Sequence, residues 1–154
     1  MITKRTKTVL VAGAMLASAC VSHGMTDGTG DMHASIVDAR AENARHLQAC
    51  TARDALGGVM DELVLHENNM NGMMVRMDHA MNGMSHCSTG GLARISEGMS
   101  GMGTGMADHR SRLESAADIE MAHEECGAHF SSIDEMLQEM DGELGRMSCM
   151  GMGR

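Results

Sequence analysis

The chain has 154 residues, 43% hydrophobic and 21% charged, with a formal net charge of −9, a length that fits one domain. It carries no Trp, Tyr or Pro and one Phe, against 20 Met, 9 His and 5 Cys. Without aromatic rings there is no platform on which bases stack, and the acidic balance argues against any binder of phosphate backbones. No run of 18 apolar residues is available to span a membrane. The GxGxxG, P-loop, GxSxG and CxxCH signatures are missing, which removes the common nucleotide, hydrolase and c-haem readings.

The first segment, residues 1–19, reads as a secretory signal. Lys4, Arg5 and Lys7 form a basic start, residues 9–17 a short apolar stretch, and Ala17, Ser18 and Ala19 lead small side chains up to Cys20. This end resembles a bacterial lipobox, with Leu16 one place further from the cysteine than in that family. The resemblance implies cleavage before Cys20, acylation of its thiol and a lipid anchor in the membrane. Val21 in place of an Asp implies the outer membrane; plain cleavage after Ala19 is the alternative. Removing residues 1–19 takes away three cations and no anion, leaving 135 residues and a charge of −12. The remainder holds as many Met as Leu, Ile, Val and Phe combined.

Residues 20–31, rich in Gly, Ser, Thr and Asp, read as a flexible tether. A helical domain is expected over 32–149 and a disordered Met-Gly tail over 150–154. Apolar spacing predicts helices over roughly 33–52, 55–84, 106–116 and 118–147, with no strand-like alternation anywhere. Asp54 and Asp118 stand where side chains cap helix starts. The glycine-rich run 88–105 reads as a loop.

An internal repeat, offset by 63 residues, relates halves at about 33–87 and 96–149: His46 maps on His109, His66 on His129, Met73 on Met136 and Met77 on Met140. Heptads then set the inward faces. Leu56, Leu63, Met70, Met77 and Met84 take a positions on the second helix; Ile119, Cys126, Ile133, Met140 and Met147 take them on the fourth. Such stripes predict an all-α antiparallel four-helix bundle made of two repeated hairpins. His46, His66, His109 and His129 all fall at d, one on each helix, and are expected to point inward as one upper site.

Four inward imidazoles must each find a partner on burial. One metal serves several at once, and neutral imidazole suits Cu, Zn, Fe and Ni; a polar structural layer is the alternative. Met70, Met73, Met77, Met136 and Met140 form a thioether stripe below. Thioethers are soft donors that suit Cu(I) and stay usable where thiols oxidise, although a Met stripe also serves as pliable packing or as an oxidant sink. Met99, Met102 and Met106 in the glycine run count as methionines placed where no core exists.

Four cysteines remain beyond Cys20 and allow three connectivities. Shared a positions favour Cys50 with Cys126, and places after the last Met of matching helices favour Cys87 with Cys149; soft-ligand sets such as His86-Cys87, or Cys126 with His123 and His129, are alternatives. Glu62 and Glu125 stand four residues before His66 and His129 and are read as orienting those rings or as simply solvated. Di-iron bundles need Glu-x-x-His and extra glutamates, and the repeat places Gly105 opposite Glu42. No nucleophile and base are paired locally, so no enzyme activity is expected.

Residue usage and Met-x-x-Met spacing over about 60–152 are similar to Met/His-rich periplasmic copper-handling proteins. The bundle also looks like bacterial copper storage proteins, which line it with Cys where this chain uses Met and His. These resemblances imply Cu(I) as cofactor or cargo, metal ions as partners and a role in buffering, storage or resistance. The alternative is a structural or interaction lipoprotein with a Met-rich core and disulfides.

Overall fold

The computed structural model describes residues 28–149. Four helices fill that range: α1, Thr29–Thr51; α2, Leu56–Gly83; α3, Thr89–Ser115; and α4, Ile119–Arg146. Helices α1 and α2 form one hairpin and α3 and α4 the other. The hairpins join chiefly along the α1–α4 seam, while α2 and α3 touch more loosely. This is the expected bundle, and no described helix is long and apolar enough to cross a membrane. The only departure from helix pairing among the described residues is a bridge between Cys87 and Cys149, where Ser88 N–H donates to the Ser148 carbonyl at 3.0 Å.

The heptad stripe is the buried stripe. Leu63, Met70, Met77, Ile133 and Met140 are fully buried or nearly so. Two apolar clusters result. The larger joins Met32, Ile36, Met70, Met77, Met102, Ile133, Leu137 and Met140. The smaller joins Cys50, Val59, Leu63, Leu113, Ala122 and Cys126. Both expected cysteine pairs, Cys50–Cys126 and Cys87–Cys149, are within bonding distance, so one bridge lies inside the smaller core and the other ties the opposite end of the bundle.

Three expectations need correction. The glycine run 88–105 is not a loop: α3 starts at Thr89 and continues through it. Leu92, Ile95, Met99 and Met102 extend the a/d register back from Met106, and the glycines between them allow a close helix approach. A Cβ at Gly98 would sit 2.7 Å from Met140 Cγ, and one at Gly101 would sit 2.9 Å from Met136 Sδ. Glycine there lets α4 lay its methionines across the α3 backbone. Helix propensity opposes this by ~1 kcal/mol per Gly, and packing on a long amphipathic face outweighs it. Met102 and Met106 are consequently buried and Met99 partly so; they are core.

The second correction is at the first helix. It begins at Thr29, inside the stretch read as tether, with Met32 fully buried. Residues 1–27 and 150–154, and with them the signal, Cys20 and the tail, lie outside the described residues. The third concerns caps. Asp118 accepts from Met121 N–H at 2.9 Å and caps α4. Asp54 does not cap α2, which starts from Ala55 with no side-chain cap.

Candidate metal centre

The four d histidines meet inside the bundle, between the two apolar clusters. His46 and His66 are 0% exposed, His109 1% and His129 4%. They pair across the bundle diagonals. His46 Nε2 lies 3.2 Å from His109 Nε2, and His66 Nε2 lies 3.3 Å from His129 Nε2. Within each hairpin the rings stack, His46 on His66 and His109 on His129, each with centroids 3.9 Å apart. Across the diagonal they meet edge to face.

One expectation changes here. The four rings do not share a single point as one upper site. Among the described residues, three-donor groups with all ligand atoms within 4.8 Å are His46–His109–Cys126 and His86–Cys87–Cys149, and neither holds three imidazoles. A heptad position fixes the face of a helix but not the height at which a ring crosses the axis. Stacking within each hairpin separates the two diagonals.

Carboxylates face the outer nitrogens. Glu42 Oε1 lies 3.2 Å from His66 Nδ1, Glu125 Oε1 lies 3.3 Å from His109 Nδ1, and Glu62 Oε1 lies 3.7 Å from His46 Nδ1. Glu62 and Glu125 therefore do not serve the histidines four residues along their own helices. Each reaches the ring arriving from the neighbouring helix of its hairpin. Glu42 is the member that the sequence reading weighed only against a di-iron site and did not assign to the rings. The available signal was its place four residues before His46, the spacing that Glu62 has to His66 and Glu125 to His129.

Arginines hold these carboxylates. Arg45 donates to Glu42 through Nε at 2.7 Å and Nη2 at 2.6 Å, and its Nη1 lies 2.8 Å from Glu62 Oε1. Arg112 Nη1 reaches Glu125 at 3.4 Å. Burial pushes Glu42 up, but hydrogen bonds from Arg45, His66 and Asn69 outweigh it and keep its carboxyl below the ordinary value. The same hydrogen bond to Glu42 raises Arg45.

Burial also sets the state of the rings. Desolvation pushes His66, His109 and His129 down to about 3, with like-charge repulsion among the rings adding to it. His46 is lowered for the same first reason, against the pull of Glu62. All four are neutral imidazoles near pH 7, the form that ligates metals.

The remaining expected residues divide. Met70, Met77 and Met140 are buried and Met73 and Met136 partly buried, all in the larger cluster beside Ile95, Ile133 and Leu137. His123 does not join Cys126; its Nε2 turns to the Arg53 carbonyl at 2.9 Å. His86 lies beside Cys87 and Cys149, whose sulfurs are spent on each other. No protein-family description, curated protein or solved structure matches the chain.

Proposed function

We propose that this protein is a non-catalytic metal-binding bundle that takes up Cu(I) for buffering, storage or resistance, anchored in the cell envelope through Cys20. The observation that carries the reading is the double pair of buried, neutral imidazoles whose Nε2 atoms face each other at 3.2 and 3.3 Å. Outer carboxylates on Glu42, Glu62 and Glu125 supply the outward partners that orient metal-ligating histidines and raise their basicity. Imidazole alone suits several ions, and the thioethers favour copper. Met70, Met77 and Met140 bring soft, neutral sulfur into the adjoining core, with Met73 and Met136 at its edge.

When bound, copper would be carried as cargo and would take no part in a reaction of the protein. The acidic surface draws cations towards the bundle, a rate effect that salt suppresses.

A second reading, a structural or interaction lipoprotein, is favoured by one observation. The buried methionines are interleaved with Ile and Leu as ordinary core residues are. Anaerobic titration of Cu(I) against a chromogenic chelator decides between them. The metal reading expects competition at micromolar chelator and fewer bound equivalents in the Met73→Leu, Met77→Leu, Met136→Leu, Met140→Leu variant. The structural reading expects no competition, and a cost under about 1.5 kcal/mol per swap as the only effect.

A further inference from the structure

We propose that His46 and His109 form the first-loaded cation seat, separate from His66 and His129, and that His46 changes tautomer when the cation arrives. The inference deepens the metal reading and rests on it.

Proton accounting separates the two diagonals. A neutral imidazole has one N–H and one acceptor nitrogen. His66 donates from Nδ1 to Glu42, so its Nε2 is bare and accepts from His129 Nε2–H. In the second repeat Gly105 stands where Glu42 stands in the first, so His129 Nδ1 has no matching carboxylate. Neither ring of that diagonal has a nitrogen among the buried atoms left without a partner.

The other diagonal does not close. His109 donates from Nδ1 to Glu125, which leaves its Nε2 bare. If His46 donates from Nε2 to that atom, its own Nδ1 lone pair is left buried, facing the Glu62 carboxylate. His46 Nδ1 is buried with no hydrogen bond, and the nearest carboxylate oxygen, Glu62 Oε1, which is ion-paired with Arg45 Nη1 at 2.8 Å, lies 3.7 Å away. If His46 instead carries its proton on Nδ1, that proton faces the Glu62 carboxylate 3.7 Å away, but two Nε2 lone pairs oppose each other at 3.2 Å. A cation between the two Nε2 atoms resolves both conflicts, and it leaves both outer N–H groups facing carboxylates.

The donor set points to the cation's class. The third atom nearby is Cys126 Sγ, which is held in the bridge to Cys50. Two nitrogens therefore carry the seat, which suits a monovalent soft ion such as Cu(I) or Ag(I), both content with two ligands. Metal–nitrogen bonds of about 2 Å would place collinear nitrogens roughly 4 Å apart, so the pair opens by less than an ångström. Glu62 and Glu125 act as positioning residues.

The test uses the full chain with 15N-labelled histidine and Ag(I) as a diamagnetic probe. The first equivalent is expected to shift His46 and His109 Nε2 and to move the His46 proton from Nε2 to Nδ1, with His66 and His129 unchanged. Glu62→Gln, which keeps the side-chain shape, should weaken that equivalent tenfold or more. If the first equivalent shifts His66 and His129 as much, or His46 keeps its Nε2 proton, this inference is overturned while the metal reading stands. If no imidazole responds, both fall.

Discussion

Burial sets the proton affinity of the central imidazoles and couples it to folding. Unfolding returns each ring to its ordinary value of 6.5, while His66, His109 and His129 sit at about 3 in the fold. Below pH 6.5 the unfolded chain binds protons that the folded chain refuses. Stability is whole above that pH and falls as acid is added towards 3, by up to about 1.4 kcal/mol per pH unit for each such ring. Urea melts of the metal-free protein at pH 7, 6 and 5 should show falling midpoints; a flat series would mean that the rings are not neutral in the core. At this scale the inward direction of the four histidines was legible, because His46, His66, His109 and His129 share a heptad position. Their partners were not. Glu62 lies four residues before His66 on one face, yet its carboxylate meets His46, since a ring reaching the bundle centre turns its outer nitrogen to the next helix.

Helix α3 shows what elements owe to their neighbours. Its local composition, with Gly90, Gly91, Gly98, Gly101, Gly103 and Gly105, speaks for a loop, and intrinsic propensity fails here because α4 supplies the missing side chains. The repeat held the signal: α1 maps onto α3 at the offset of 63 residues, so a full-length first helix implies a full-length third. Two substitutions separate propensity from packing. Nothing lies within 4 Å of a Cβ at Gly103, so Gly103→Ala should stabilise the fold by up to ~1 kcal/mol. Gly98→Ala carries the same propensity gain but drives its methyl against Met140 and should destabilise by roughly 1 kcal/mol once overpacking is included. Thermal melts of both read the difference, and equal shifts would remove the close-approach account of the glycines.

For the whole molecule, the two bridges and the central layer divide the labour. Cys50–Cys126 spans 76 residues and Cys87–Cys149 spans 62, and each joins segments far apart in the chain. Loop-closure entropy alone gives roughly 4 kcal/mol for a single bridge of that size, so a reductant should lower the urea midpoint markedly; an unchanged midpoint would mean that packing alone holds the hairpins together. The hairpin architecture and both pairings were legible from the repeat and the heptads. The splitting of four rings into two diagonals was not, because a heptad position fixes a helix face and not the height at which its ring reaches the axis. X-ray absorption at the copper edge of the Cu(I)-loaded, desalted protein tests the central claim most directly. Imidazole nitrogen around the first equivalent of copper is the expected result. A first shell of sulfur alone, or no copper retained after desalting, would contradict it.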